Sequence, residues 1–98
     1  MPPRPIELHP EAIAEAQAAV RWYRQRSESA AVRFVEEMDA AVDRVAASPQ
    51  RGAPFAEGVR RILLHRFPFA VIYQEKADVI EIIAVAHGKR KPGYWRGR

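Results

Sequence analysis

The sequence lacks cysteine and has no long apolar run. Without cysteine there are no disulfide bonds and no thiolate metal ligands, so ordinary side-chain packing must hold the core. No stretch approaches the roughly 20 apolar residues of a membrane helix. The first ten residues, MPPRPIELHP, also lack the apolar segment of a signal peptide. We therefore expect a cytoplasmic protein that uses no thiol chemistry and has no membrane partner.

Motifs for metal and phosphate binding are missing as well. The three histidines and the scattered acidic residues show no ligand spacing such as H-E-x-x-H. The segment QRGAPFAEG contains glycine but lacks the Lys-Ser/Thr pair that ends a phosphate-binding loop. The sequence therefore implies neither a metal ion nor a cofactor.

The chain has the length of a single domain and an uneven distribution of charge. The 98 residues are enough for one domain, residues 1–98, and contain no internal repeat or linker. Up to Glu57 the chain has seven basic and nine acidic side chains, whereas residues 58–98 have nine basic and three acidic ones. Such an excess of positive charge favours a polyanionic partner, either a nucleic acid or an acidic protein segment. The alternative is a basic protein whose charges are merely solvated.

The first half of the chain predicts two helices. His9-Pro10 is a plausible start, because a proline at the first helical position loses no hydrogen bond. Ser27 to Ser29 ends this helix and caps the next one, which Ser48-Pro49 terminates. Apolar residues then recur at steps of three and four, as on a helix that buries one side: Ile13, Ala16, Val20 and Tyr23 in the first helix, and Ala31, Phe34, Val35, Met38, Ala41, Val42 and Val45 in the second. The opposite face of the first helix carries Glu11, Glu15, Arg21 and Arg24.

The second half predicts strands. The segments VRRILL, FAVIY and VIEIIAVA are short and β-branched, and the breaks HRFP and QEKAD between them suit turns. The segment PQRGAPFAEG before them is interpreted as a loop, and PIEL near the start of the chain can add a fourth strand. We therefore predict an α+β fold in the order β-α-α-β-β-β, with a helical hairpin on one face of a small, mainly antiparallel sheet.

These same segments carry a family resemblance. The runs VRRILLHRFPFAVIYQE and VAHGKRKPGYW, together with HPEAIAEAQAAVRWYRQRS in the first helix, resemble the RelE/ParE superfamily of toxins from type II toxin–antitoxin systems. The Arg-rich strand, the Phe-Pro-aromatic turn and the closing His-x-x-Arg-x-Pro-x-Tyr-Trp are most similar to the ParE side. The fold that this resemblance implies agrees with the predicted order of elements.

The resemblance implies two different activities. ParE-like members inhibit DNA gyrase, whereas RelE-like members cleave messenger RNA on the ribosome. Metal-free RNA cleavage needs a base, an acid and cations that neutralise the phosphorane. The candidates for those roles are Arg61, His87, Arg90 and Tyr94, with Arg60, His65 and Arg66 nearby in sequence. However, RelE-like nucleases share a lysine-rich patch in the middle of the sheet, and residues 45–75 contain no lysine.

We therefore predict a bacterial ParE-like toxin that inhibits gyrase. Its partner would be a cognate antitoxin, ParD-like or of another type, with an acidic C-terminal segment, in a higher-order hetero-oligomer. The first alternative is a ribosome-dependent mRNA interferase, and the second is a non-toxic relative that binds the antitoxin and regulates its own expression. The candidate contact surface for target or antitoxin comprises Arg60, Arg61, Arg66, His87, Lys89, Arg90, Lys91, Tyr94, Trp95, Arg96 and Arg98.

These residues could also be structural or merely solvated, without contacting a target or an antitoxin. Strand alternation puts Arg60 and Arg61 on opposite faces, so only one of them can belong to a shared site. His87 at a strand end could be structural. Tyr94 and Trp95 could pack the C-terminal segment onto the sheet, because aromatic rings bury a large area with few rotatable bonds. The basic residues of that segment are, one by one, expected to be solvated: Lys89, Lys91, Arg96 and Arg98.

Overall fold

Two helices and five strands make up the computed structural model, which describes residues 4–98. In chain order they are β1 (Ile6–Leu8), α1 (Pro10–Arg24), α2 (Glu28–Ala47), a short 3-10 turn (Pro49–Arg51), β2 (Ala53–Ala56), β3 (Val59–Leu63), β4 (Phe69–Glu75) and β5 (Ile80–His87). The sheet order is β1-β5-β4-β3-β2. Strand β1 runs parallel to β5, and the other pairs are antiparallel. The predicted α+β fold is confirmed.

Both helix starts follow the predicted capping. The His9 side chain accepts a hydrogen bond from the Glu11 backbone N–H at 3.0 Å, and Pro10 occupies the first turn of α1. Ser27 caps α2 by accepting from the Ala30 N–H at 3.2 Å. Such caps satisfy N–H groups that have no partner within the helix. Neither helix within residues 4–98 is long and apolar enough to cross a membrane. Residues 1–3, part of the segment behind the signal-peptide inference, lie outside the described residues.

The helices cover one face of the sheet and form the larger core with it. Phe34 of α2 and Tyr73 of β4 are fully buried there. The predicted stripes are right except at two positions, because Ile13 and Val35 remain 42% and 40% exposed. On α1 the buried positions are Ala12 and Ala19 instead. Their small side chains let the helix backbone lie close to β5, which turns Ile13 outward.

One strand lies in the segment interpreted as a loop, and that interpretation was wrong for Ala53–Ala56. These residues form β2, an edge strand that pairs with β3 and has an irregularity between Pro54 and Ala56. An edge strand tolerates proline, since its outer N–H needs no partner. Four residues with a proline give no period-2 pattern, so the sequence offered no signal for this strand.

The second face of the sheet is covered in part by the C-terminal segment. Residues 88–98, called the tail below, form successive turns. The indole of Trp95 is only 5% exposed and packs with Val59, Ile72 and Ala84 in a second apolar cluster. The packing interpretation of Trp95 is therefore correct, and the tail contributes to the core.

Candidate functional site

A groove of about 290 Å³ opens on the second face of the sheet, between the strands and the tail. We call it the open-face groove. Apolar side chains make most of its lining, among them Leu63, Ala70, Ile72 and Trp95. Its basic side chains come from β3, from the end of β5 and from the tail: Arg61, His87, Arg90 and Lys91. The groove therefore combines an apolar floor with positive charge.

Strand alternation separates the two neighbouring arginines of β3, as predicted. Arg61 faces the open-face groove, with its guanidinium 4.3 Å from the centre of the Phe55 ring. Arg60 points to the other side, where it donates to the carbonyls of Gln50 and Gly52 at 3.1 and 2.7 Å. Arg60 thus holds the segment before β2 and is not part of the groove.

The tail is attached to α1 through a single carboxylate. Glu15 accepts hydrogen bonds from the Tyr94 hydroxyl at 2.7 Å, from the Val85 N–H at 3.0 Å, and from the Arg98 guanidinium at 2.9 and 3.1 Å. Arg98 also donates to the Ile83 carbonyl at 3.0 Å. We call this set of contacts the Glu15 clasp.

The clasp lies beyond the point where β1 stops pairing with β5. Strand β1 pairs with β5 only as far as Ile82, so beyond that point β5 has β4 on one side and no strand on the other. An unpaired backbone polar group away from water is costly. Glu15 and Arg98 satisfy the Val85 N–H and the Ile83 carbonyl in place of the missing strand.

Two pKa values follow from the clasp. Burial raises the pKa of the Tyr94 hydroxyl strongly, and its hydrogen bond to the Glu15 carboxylate raises it further. Burial alone would raise the pKa of Glu15, but the hydrogen bonds from Arg98, Tyr94 and Val85 outweigh it and lower that pKa. Near neutral pH Glu15 is therefore ionised, and Tyr94 keeps its proton.

Arginines cover the aromatic rings around the groove. The Arg90 guanidinium lies 3.8 Å from the centre of the Tyr94 ring, and that of Arg98 lies 5.1 Å from it. Arg61 covers Phe55 in the same way. Such cation–π contacts stabilise by about 0.5–1 kcal/mol each at exposed sites. They also occupy ring faces on which a nucleotide base would stack.

His87 has a structural role, in line with the alternative interpretation of this residue. Its Nδ1 accepts a hydrogen bond from the Lys89 backbone N–H at 3.0 Å, which shapes the first turn of the tail. Its ring packs edge-on against Phe69, with ring centres 5.1 Å apart. The same side chain lines the open-face groove.

The structure brings together only part of the predicted contact surface. Arg61, His87, Arg90, Lys91, Tyr94 and Trp95 line the open-face groove. Lys89 and Arg96 are exposed but do not line it. His65 and Arg66 lie beside Glu37 and Arg44 of α2, on the helix side. The expectation that Arg98 is solvated was wrong, because its side chain is 12% exposed and bound to Glu15.

Sequence reasoning missed Glu15 and Phe55. The periodicity puts Glu15 on the face of the first helix opposite the apolar stripe, and nothing in the local pattern links it to residues at the far end of the chain. Phe55 lay in the segment interpreted as a loop. Residues 4–98 contain no group of three or more His, Asp or Glu side chains that could hold a metal ion.

Comparisons with known proteins find a family model and a solved structure that are similar to this chain. A family model described as "ParE toxin of type II toxin-antitoxin system, parDE" matches residues 6–92. The match includes Glu15 but ends before Tyr94 and Arg98. A comparison with curated protein sequences finds no match. Among solved structures, one titled "Chromosomal ParDE TA system from P. aeruginosa" is similar with a TM-score of 0.75 and 22% identity. The alignment covers 86% of this chain and 95% of that one, and it shows a shared fold.

Proposed function

This chain belongs to the ParE toxin family of type II toxin–antitoxin systems, and we propose that it acts by binding DNA gyrase through the open-face groove. In this proposal the toxin is a binding protein and not an enzyme, and an antitoxin partner neutralises it. Arg61, Arg90 and Lys91 supply the positive rim, and the apolar floor beside Trp95 supplies the buried centre of the contact. An apolar centre with a polar rim is typical of protein–protein interfaces.

The proposal that the toxin binds its target and does not cleave RNA depends on the hydrogen bond and the raised pKa of Tyr94. RNA cleavage by 2′-OH attack needs one group that takes a proton and another that gives one. The Tyr94 hydroxyl is bound to the Glu15 carboxylate at 2.7 Å, and its pKa is raised by burial and by that carboxylate. A tyrosine in this state is a poor proton donor and a worse base. The catalytic role considered for Tyr94 therefore lacks support.

The covered rings also favour a protein target over RNA. Sequence-tolerant recognition of single-stranded RNA depends on bases that stack on open aromatic faces. Here Phe55 and Tyr94 are already covered by Arg61 and Arg90, while Trp95 is almost fully buried.

The mRNA interferase remains the second candidate because of one observation. Arg61, His87 and Arg90 line the same groove, so two guanidinium groups and an imidazole could meet one phosphate. Positioned cations of this kind stabilise a developing phosphorane. The groove would then have to bind RNA without a proton donor at Tyr94.

Parallel assays of the purified toxin separate the two candidates. We expect inhibition of gyrase supercoiling, with ribosome-bound messages left intact. Arg61→Glu should abolish inhibition, because it reverses charge within the groove. Arg33→Glu, an equal charge change on the exposed surface of α2, should leave inhibition unchanged. Cleavage of messages on ribosomes with unaffected supercoiling would refute the gyrase proposal.

A further inference from the structure

A second groove lies on the other side of β5, between α1 and the end of that strand. Its volume is about 420 Å³, and we call it the edge groove. Ala18, Ala19 and Trp22 of α1 form one wall, and Phe69 and Val85 of the sheet form the other. The lining is largely apolar, and it meets the open-face groove at Pro68, Phe69, His87 and Arg90.

Trp22 is the most unusual residue of this groove. Half of its surface is exposed, although tryptophan usually buries much of its large area. Its ring contacts Tyr23 edge-on at 5.0 Å, and the Arg26 guanidinium lies 3.6 Å from the ring centre. Arg26 also donates to the Trp22 carbonyl at 2.9 Å, which holds it in place. Trp22 therefore leaves a large apolar surface open to solvent at the groove.

Positive charge flanks this apolar floor. Arg26 lies beside Trp22, and Arg90 lies at the end of β5. Across the described part of the chain, neither guanidinium has a carboxylate within 4.0 Å. Glu15 is the acidic residue of the lining, and Arg98 already neutralises it. The groove therefore presents two unneutralised cations to an occupant.

We propose that the edge groove is the docking site for an acidic segment of the antitoxin, with a large apolar side chain inserted beside Trp22 and carboxylates beside Arg26 and Arg90. The proposal rests on the proposed function only in taking an antitoxin as the partner. A basic segment would be repelled by the two arginines. A nucleic acid would leave the apolar floor unfilled, and one face of Trp22 is already covered by Arg26.

This location also accounts for neutralisation. His87 and Arg90 line both grooves. An antitoxin segment that pairs with Arg90 from the edge groove takes a cation away from the rim of the open-face groove. The antitoxin thus weakens target binding without covering the apolar floor that the target needs.

Fluorine NMR of the toxin labelled with 5-fluorotryptophan tests the location directly. The chain has two tryptophans, Trp22 exposed and Trp95 buried, and Trp22→Phe assigns their signals. We expect the Trp22 signal to shift when the unlabelled, full-length antitoxin encoded beside the toxin gene is added, and the Trp95 signal to stay. A complex that leaves the Trp22 signal unchanged would overturn the proposal.

A size-matched pair of variants that differ in charge tests the chemistry. Ala18 is exposed on the groove wall, and Ala18→Glu should weaken antitoxin binding about tenfold or more relative to Ala18→Gln, which has nearly the same size. Val32, half exposed on α2, provides the control, since Val32→Glu and Val32→Gln should bind alike. Equal affinities of the two Ala18 variants would refute the acidic occupant.

Two further titrations identify other occupants. A Trp22 shift with a single-stranded oligonucleotide but not with the antitoxin would assign the groove to nucleic acid and overturn the proposal. A shift that depends on toxin concentration alone would assign it to a second copy, with the same consequence. Gyrase inhibition by free Ala18→Glu toxin is measured separately. If wild-type toxin leaves gyrase active while the antitoxin shifts Trp22, the gyrase proposal fails and the docking site stands.

Discussion

The two faces of the sheet are held by different forces. On the helix side, Phe34 packs against Tyr23, Phe67 and Phe69, with ring centres 5.3–5.5 Å apart. On the tail side, a single indole, Trp95, lies over small residues such as Ala84 and Ala86. The tail is then fastened by charged and polar contacts to Glu15. Apolar packing therefore dominates the first face, and a hydrogen-bonded ion pair fixes the edge of the second.

This difference separates folding from function. Apolar burial depends little on pH or salt near room temperature, whereas an ion pair depends on the ionisation of its carboxylate. The proposed target surface lies on the face with less aromatic packing. Its basic side chains can be exchanged without opening the main core. Changes to the buried residues of the helix side should therefore act through stability, and changes to the exposed basic residues of the tail side should act through binding.

The largest expected effect is at the centre of the helix-side core. Phe34→Ala removes a fully buried ring and should lower the free energy of unfolding by about 4 kcal/mol. Urea denaturation followed by circular dichroism measures it. The neighbouring Val35→Ala, at a 40% exposed position, should change it by less than about 1 kcal/mol. Similar losses for the two variants would contradict the assigned orientation of α2.

Trp95→Ala tests how much the tail adds to folding. We expect a loss of about 3 kcal/mol, at the lower end for a buried aromatic ring, because the tail can partly collapse onto the sheet. Trp95→Phe should lose less than half as much stability as Trp95→Ala. A loss below about 1 kcal/mol would mean that the tail does not form part of the core.

Glu15→Ala tests the clasp. It removes the carboxylate that accepts from the Arg98 guanidinium and from the Val85 N–H, and we expect a loss of about 2 kcal/mol. Glu11→Ala is the matched control, because Glu11 is 64% exposed and only 3.7 Å from the same guanidinium. It should cost at most about 0.5 kcal/mol. Equal effects at the two positions would mean that the tail is held without Glu15.

The pH dependence of the clasp has a definite sign. The folded-state pKa of Glu15 is lowered from its ordinary value of 4.5, so the unfolded state binds more protons between the two values and stability rises with pH there. The contribution is complete above 4.5 and disappears as the pH falls through the lowered value. The stability difference between wild type and Glu15→Gln should therefore shrink as the pH falls from above 4.5 through the lowered pKa of Glu15. A constant difference would argue against an ionised Glu15.

We expect the smallest effect on stability from charge reversal in the tail, although this change should abolish toxicity. Arg90→Glu, Lys91→Glu and Arg96→Glu together reverse exposed charges on the tail and should change the melting temperature by only a few degrees, about 1 kcal/mol or less. The triple variant should no longer arrest growth. Its matched control replaces Arg24, Arg33 and Arg51, which are exposed elsewhere, and should stay toxic. Retained toxicity of the tail variant would mean that these basic residues are only solvated.

The elements with a regular pattern were predictable from the sequence. The bounds of α2 follow from Ser27 and from Ser48-Pro49, and β3, β4 and β5 follow from their β-branched runs. Strand β2 was not predictable, because four residues with a proline show no alternation. Ile13 was assigned to the wrong side of α1, because an alanine and an isoleucine give similar periodicity and only the contact with β5 selects between them.

The sequence by itself determined the fold class, the helical hairpin and the separation of Arg60 from Arg61. These depend on patterns that span a few neighbouring residues, where geometry repeats every two or 3.6 positions. Only the tertiary structure decided that Glu15 binds Tyr94 and Arg98, 79 and 83 positions away. That contact exists because β1 ends at Leu8 and leaves the β1 side of β5 without a strand partner beyond Ile82, while β4 still pairs with the other side. The Glu15 carboxylate and the Arg98 guanidinium then form hydrogen bonds with the free N–H and carbonyl groups at this strand edge. No local sequence pattern shows that these backbone groups need partners.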